Sequence, residues 1–126
     1  MISHIVLLQP RPDLNALERD TFLAAFEHAV RDIPEVRGVR VGARVTHSAG
    51  YEDGMPAADF LAVLDFDDLD GLQAYLAHPA HQELGRLFGR YLASALVYDF
   101  EMGDTALLRR FVQEFPGASR IRKDPD

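Results

Sequence analysis

Hydrophobic residues recur along the chain with two different periods, and the switches between these periods predict its secondary structure. Residues 2–9 form a short, largely apolar run that predicts a first strand. From Asn15 to Pro34 the apolar residues recur at helical spacing, and Glu18, three residues after Asn15, predicts a capping box. Residues 39–46 alternate between apolar and polar, which predicts a second strand with one buried face and one polar face.

The second half of the chain repeats this succession of strand and helix. Residues 47–59 carry glycine and proline and predict a long loop, and residues 60–66 are apolar on both faces, as is typical of a central strand. Helical spacing then runs to the residue before Pro79, where the chain breaks; proline suits the first turn of a further helix. A last apolar run, at 96–100, predicts the fourth strand.

The resulting order is β-α-β-β-α-β, which predicts an α+β protein of the ferredoxin-like type with a four-stranded antiparallel sheet. The helices cover one face of such a sheet, and nothing in the sequence covers the other. The third strand nevertheless places Leu61 and Val63 on that second face. Because an open apolar face normally meets a partner, and a second copy is the simplest partner, we expect a homodimer.

The end of the chain carries its own pattern. Asp104 can cap a short helix, and residues 104–115 contain five large apolar side chains at helical spacing. We expect this C-terminal extension to dock on the domain or across the dimer. Residues 116–126 contain no such pattern and predict a disordered tail.

Composition narrows the classes of function. The net charge of −7 argues against a nucleic-acid partner, because phosphate binding needs a basic face. The chain has no cysteine, which excludes disulfides, thiolate nucleophiles and cysteine-ligated metals. No apolar run is long enough to span a membrane, and the first one lacks the basic residues that precede a signal peptide core. We therefore expect a cytoplasmic protein that binds neither nucleic acid nor membrane.

The residues best suited to chemistry lie around the break between the two later helices. Tyr75 is near the end of one helix and His81 is in the first turn of the next, so the break at His78-Pro79 can turn both side chains toward a common space. A histidine that titrates near neutral pH can remove a proton, and a phenol can donate a hydrogen bond to an oxyanion. From spacing alone, a structural role is the commoner outcome: Tyr75 would pack under the sheet and the histidines would cap a helix.

A metal site is a further reading of the same histidines. His78 and His81 are two residues that one turn of helix could aim at an ion, and His4 on the first strand could supply a third ligand. No aspartate or glutamate stands at a compelling third position. We predict no metal and no cofactor.

Four stretches of the chain resemble the stress-responsive dimeric α/β-barrel (Dabb) family. They are His4-IVLL, the strand end Asp65-Phe66-Asp67, the motif Tyr75-LAHPAH, and Val97-Tyr98-Asp99-Phe100. The likeness covers residues 2–101. It implies a ferredoxin-like protomer whose sheet packs on that of a second copy to form a dimeric α/β barrel, with a pocket in each protomer between its own sheet and helices.

The resemblance also implies roles for individual residues. Plant polyketide cyclases of this family close a linear thioester by intramolecular aldol condensation, with a tyrosine and a histidine of this motif. By that likeness His81 is the base and Tyr75 holds the substrate carbonyl. Phe26 takes the place of a pocket tyrosine, so the wall is less polar here. The residues expected to line the pocket are His4, Leu8, Phe22, Phe26, Phe60, His78, Phe88 and Leu92.

Three functions follow from these observations. The first is a homodimer whose protomer pocket holds a small, largely apolar or polyketide-like ligand, with cofactor-free acid/base chemistry at Tyr75 and His81. The second is a non-catalytic stress or accessory dimer. The third, less supported, is a cofactor-independent monooxygenase, since the antibiotic-biosynthesis monooxygenases have a similar barrel. An open apolar cavity beside His81 would favour the first function, and a sealed cavity the second.

Overall fold

A computed structural model describes residues 1–113 of the chain. The elements, in chain order, are β1 (Ile2–Pro10), α1 (Ala16–Asp32), β2 (Gly38–Ala43), β3 (Phe60–Phe66), α2 (Leu69–Ala77), α3 (Pro79–Tyr91) and β4 (Leu92–Glu101). The four strands form one antiparallel sheet in the order β2-β3-β1-β4, which is the ferredoxin-like order. The predicted fold class is confirmed.

Side-chain caps fix where the helices begin. The Asn15 side chain accepts a hydrogen bond from the Glu18 backbone N–H at 2.8 Å, and the Glu18 carboxylate accepts one from the Asn15 N–H at 3.0 Å. This is the predicted capping box of α1. Asp68 caps α2 by accepting a hydrogen bond from the Gly71 N–H. Each such cap satisfies backbone donors that the first helical turn leaves free, typically for about 1 kcal/mol.

The core lies between the helices and one face of the sheet. Alternate residues of the central strands point into it, so that Ala62, Leu64 and Phe66 on β3 are all buried, and Val6 on β1 lies beside them. Ile33 after α1 and Leu72 on α2 close the core from the helical side, and both are buried. Burying one such large apolar side chain stabilises the fold by roughly 1.5–3 kcal/mol.

The second strand differs from its prediction. β2 ends at Ala43, and the valines expected on its buried face are exposed: Val41 by 70% and Val45 by 75%. The reason is position: β2 is an edge strand, and the helices pack over the other three strands. Alternation of apolar and polar residues indicates a strand, but it does not say whether a helix lies above it.

The fourth strand is also longer than predicted. It begins at Leu92, directly after the last residue of α3, rather than at Leu96. The Arg11 N–H donates a hydrogen bond to the Tyr91 carbonyl at 3.0 Å, which ties the end of α3 to the end of β1. The chain therefore passes from helix to strand without a loop that composition could have indicated.

The face of the sheet away from the helices is apolar and uncovered in the protomer. We call it the open face and define it by two rows of paired residues, Leu61–Leu7–Leu96 and Val63–Ile5–Tyr98. On the edge strand β4, Leu96 is 40% exposed and Tyr98 50%. The central position of β3, with apolar residues on both sides, is as predicted.

The C-terminal extension is helical as far as the structure describes it. A 3₁₀ turn (Thr105–Leu108), capped by Asp104, leads into α4 (Arg109–Gln113). Leu107 folds back on Gly103, where an added Cβ would lie 2.7 Å from it. Leu108 and Val112 are 72% and 68% exposed, so they do not dock on their own domain. The expected continuation to residue 115 and the tail 116–126 lie outside the described residues.

Within residues 1–113, no helix is long and apolar enough to cross a membrane.

Candidate functional site

A cavity of about 270 Å³ lies between the helices and the inner face of the sheet. It is apolar except for two histidines and a tyrosine. The residues that line it are His4, Val6, Leu8, Phe22, Phe26, Ala62, Leu64, Tyr75, Leu76, His81, Leu84, Gly85, Phe88 and Val97.

The break between α2 and α3 brings Tyr75 and His81 together. His78 is extended (φ −69°, ψ 140°), as the residue before a proline should be, and it ends one helix and caps the next. The chain turns there, so that the Tyr75 and His81 rings lie 4.6 Å apart between their centroids. The predicted common space is therefore this cavity.

His81 is held in one orientation by a backbone carbonyl. Its Nδ1 lies 3.2 Å from the carbonyl oxygen of Leu76. Because a carbonyl can only accept, Nδ1 carries the proton and Nε2 of the neutral ring keeps a free lone pair. Burial lowers the pKa of His81 from its usual 6.5, the Leu76 carbonyl opposes this, and the nearby charge of His4 lowers it further. At neutral pH the His81 ring is therefore uncharged, and its Nε2 can accept a proton.

Tyr75 contributes a protonated hydroxyl. Its side chain is 2% exposed and packs on Phe66, with ring centroids 5.2 Å apart. Burial raises the pKa of Tyr75 to about 12, because the phenolate would lose its hydration. Among the described residues the Tyr75 hydroxyl has no hydrogen-bond partner, and Tyr75 lines the cavity. It can donate a hydrogen bond to a ligand oxygen.

A second imidazole packs against Tyr75. His4 on β1 is 5% exposed, and its ring lies edge-on to Tyr75 with centroids 5.8 Å apart. Its Nδ1 lies 2.6 Å from Oδ1 of Asp99 on β4. Nδ1 therefore donates to the carboxylate, which fixes the ring and leaves Nε2 as its other hydrogen-bonding atom. The sequence indicated only that His4 lines the pocket, and the structure adds its pairing with Asp99.

Asp99 was not predicted as a site residue. It belongs to the closing motif Val97-Tyr98-Asp99-Phe100, but only the register of β1 against β4, which pairs His4 with Asp99, brings it to the site. The Leu76 carbonyl and Gly85 had no signal in the sequence.

Aromatic rings form the apolar part of the wall. Phe22 on α1 and Phe88 on α3 contact each other with centroids 5.6 Å apart. Phe26 lies one turn further along α1, and Leu8 approaches from β1. These four predicted lining residues surround the same cavity as His4, Tyr75 and His81.

Three predicted lining residues lie elsewhere. Phe60 begins β3 beyond the reach of the helices, is 46% exposed, and borders a hollow on the opposite side of the sheet. His78 caps α3, its Nδ1 accepting a hydrogen bond from the Ala80 N–H at 3.0 Å. Leu92 starts β4 and packs against the main core. Their assignment to the pocket is corrected, because none of the three lines the cavity: Phe60 is at an exposed strand end, His78 caps a helix, and Leu92 stands at a helix-to-strand junction.

The hollow beside Phe60 is the larger of the two, at about 510 Å³. It lies between the open face, at Leu7 and Leu96, and the loop that carries Tyr51 and Met55. It contains neither Tyr75 nor His81. We treat it as part of the surface that a second copy would cover, and the smaller cavity as the candidate site.

No group of three or more His, Cys, Asp or Glu side chains is arranged to hold a metal ion in residues 1–113.

The chain is similar to known proteins in both sequence and fold. The family model for the Stress responsive A/B Barrel Domain, Dabb, matches residues 2–102. The chain belongs to the Dabb family. His4, Tyr75, His81 and Asp99 all lie within the residues that the family model matches.

Three known proteins show how similar this chain is to its relatives in sequence or in fold. Olivetolic acid cyclase of Cannabis sativa is 22% identical to this Dabb chain over 99 residues, which cover 79% of the chain and 94% of the cyclase. A dimeric ferredoxin-like protein of unknown function from Thermobifida fusca has a TM-score of 0.62 at 27% identity, covering 80% of this chain and 90% of that one. The hydroxynitrile lyase of Passiflora edulis has a TM-score of 0.71 at 16% identity, covering 82% and 94%. The last likeness concerns the fold alone.

Proposed function

We propose that this Dabb protein is a homodimer whose protomer cavity binds a small, largely apolar carbonyl compound and catalyses acid/base chemistry on it with side chains alone. The observation that carries the proposal is the pairing of His81 and Tyr75 in one open apolar cavity, with His81 oriented by the Leu76 carbonyl. A base and a hydrogen-bond donor at one site are what the formation of an enolate requires.

The base is His81. Its free Nε2 removes a proton from the carbon next to the ligand's carbonyl group. The lowered pKa keeps the ring neutral, and so able to accept that proton, throughout the neutral range. The lowered pKa also makes His81 a weaker base. The apolar surroundings of the substrate and the neighbouring Tyr75 donor offset this loss of base strength.

The donor is Tyr75, whose hydroxyl stays protonated because its pKa is about 12. It stabilises the negative charge that develops on the carbonyl oxygen as His81 takes the proton. In a compound with a second carbonyl, the enolate carbon attacks that carbon, a new carbon–carbon bond forms, and protonated His81 returns its proton to the new alkoxide. This is an intramolecular aldol reaction, the type suggested by the family's polyketide cyclases.

His4 and Asp99 support the donor. The carboxylate fixes His4 at 2.6 Å, and the His4 ring packs edge-on to Tyr75. We assign His4 a positioning role, because its ring is fixed by Asp99 and restrains the phenol.

A second candidate function is a dimer without catalysis, an accessory protein. The uncovered open face favours it, since Tyr98 is 50% exposed and assembly alone would explain that surface. It does not explain a cavity open to ligands beside a fixed imidazole. The monooxygenase hypothesis gains no support from these contacts.

The experiment is hydrogen–deuterium exchange at the methyl group of acetophenone, followed by NMR in D₂O. It asks for proton removal only and needs no knowledge of the natural substrate. A positioned base contributes about 10²–10⁴-fold, so His81→Ala should reduce the enzymatic exchange rate by that factor. His81→Gln, which keeps most of the side-chain volume, should do the same, and His28→Ala, an exposed histidine paired with Asp32, should leave the rate unchanged. Poly-β-keto thioesters then test for ring closure.

Exchange by the wild-type protein that is no faster than in buffer contradicts the catalytic proposal. So does a His81→Ala protein that is as active as wild type. Either result would leave the accessory dimer.

A further inference from the structure

Two glycines interrupt α3 in its interior, where glycine destabilises a helix relative to alanine. They are Gly85 and Gly89, and a Cβ added at either would meet no other atom within 4 Å. Neither glycine is therefore required by packing. Gly85 lines the cavity and Gly89 does not.

Gly85 stands at the mouth of the cavity. Of the lining residues, Leu76 on α2, Gly85 on α3 and Val97 on β4 are exposed, whereas those of the central strands are buried. The mouth therefore opens between the helices and the edge strand. His81 and Gly85 are four residues apart and lie on the same face of α3. The missing side chain of Gly85 leaves free space one turn from the imidazole.

The lining also limits the charge of the ligand. It contains no Asp, Glu, Lys or Arg side chain, and its polar groups are His4, Tyr75 and His81. An anionic ligand would lose its hydration there without meeting a Lys or Arg side chain, and the His4 ring is already paired with Asp99. The volume of about 270 Å³ is larger than the roughly 150 Å³ that holds benzene and smaller than most drug-sized sites.

We infer that the cavity selects uncharged carbonyl compounds of about one ring with a short apolar extension, and that Gly85 determines this specificity by admitting the extension at the mouth. The inference rests on the proposed function, which places the carbonyl at His81 and Tyr75. It adds a ligand class and a residue that acts by having no side chain.

The test uses calorimetric titration of acetophenone, the larger 2-acetonaphthone, and benzoate, a carboxylate of similar size to acetophenone. Wild type should bind both ketones, and benzoate about tenfold more weakly or worse. Gly85→Leu should weaken both ketones about tenfold, and Gly85→Ala should weaken 2-acetonaphthone alone. The matched controls Gly89→Ala and Gly89→Leu, in the same helix but away from the cavity, should bind like wild type. Both alanine variants should melt a few degrees higher, which shows that they fold.

Gly85→Leu binding both ketones as tightly as Gly89→Leu would overturn the role of Gly85, and benzoate binding as tightly as acetophenone would overturn the ligand class. In either case, exchange of acetophenone protons that still depends on His81 would leave the proposed function standing. If the wild-type protein neither binds the ketones nor exchanges their protons, both the proposed function and this inference are wrong.

Discussion

Tyr75 connects the core of the protein to its cavity. Its ring packs on Phe66, which is fully buried, and also contacts His4 and His81. A change that removes the ring would therefore affect stability and chemistry together, by several kcal/mol for a large side chain in a core. Removing only the hydroxyl separates the two, because the ring contacts remain.

Tyr75→Phe should lower the exchange rate on acetophenone by about 10²-fold, the typical effect of losing one donor to a developing oxyanion. The melting temperature should change little, since the hydroxyl has no hydrogen-bond partner among the described residues and the ring is kept. Tyr98→Phe, which removes an equivalent hydroxyl on the open face, is the matched control and should be as active as wild type. A Tyr75→Phe protein with the wild-type rate would show that the phenol packs but does not take part.

The pH dependence should follow His81. Its pKa is lowered, chiefly by burial, so activity should persist below pH 6.5 and fall only as the pH drops through the lowered value. The sign for stability is the same: between the lowered pKa and about 6.5 the unfolded chain binds more protons, so the free energy of unfolding rises with pH in that window.

NMR titration of histidine-labelled protein checks this directly. His4→Gln should raise the pKa of His81, because it removes a nearby group whose charge opposes protonation. A pKa for His81 at or above 6.5 in wild type would contradict the site as described.

Single residues were predictable where a short motif fixes their geometry. Tyr75 and His81 are held by the His78-Pro79 break, which is local, and the structure brings their rings together at 4.6 Å. Asp99 and the true position of Phe60 depend on strand register and on where the helices end above the sheet. Those are relations between distant segments, which spacing along the chain does not contain.

At the scale of elements, caps and breaks were more informative than alternation. The Asn15 capping box and Pro79 place the starts of α1 and α3 correctly, because backbone donors at a helix start need local partners. The alternation of apolar and polar residues predicted a buried face for β2, but Val41 on that face is 70% exposed at the sheet edge. The start of β4 was missed because α3 runs into Leu92 without a break.

The C-terminal extension is the element whose role depends most on a partner. Leu108 and Val112 are 72% and 68% exposed in the protomer, and Arg110 forms a salt bridge with Glu101 at 3.3 Å that holds the extension near the end of β4. Large apolar side chains in that position promote aggregation unless something covers them.

Ending the chain after Gly103 should lower the melting temperature or the solubility of the dimer. Replacing Leu108 and Val112 together by serine should reproduce the loss of stability if these side chains dock across the dimer. Replacing Thr105 and Gln113 by alanine is a control that leaves the apolar side chains in place. A truncated protein that melts and remains soluble like the full chain would make the extension dispensable.

At the scale of the whole molecule, the sheet separates two surfaces with different chemistry. One face carries the cavity with His4 and Tyr75, and the other carries the open face, where Ser3 donates a hydrogen bond to Asp65 at 2.6 Å near its end. Successive residues of β1 alternate between the two, so one strand supplies both. A change confined to the open face should therefore alter assembly before it alters the cavity.

The open face should form the homodimer. A stable interface of this kind buries more than about 1,000 Å² in total, and the two rows through Leu7 and Ile5 supply its apolar centre. Tyr98→Lys, alone or with Leu96→Lys, should convert a dimer of twice 14.1 kDa into a monomer, because the lysine charges would be buried without partners. Leu17→Lys is the control, since Leu17 is 74% exposed on α1, away from the sheet. Light scattering at micromolar concentration gives the mass. A wild-type mass near 14.1 kDa would contradict the homodimer. Lys variants that remain dimeric would place the dimer contact on another surface.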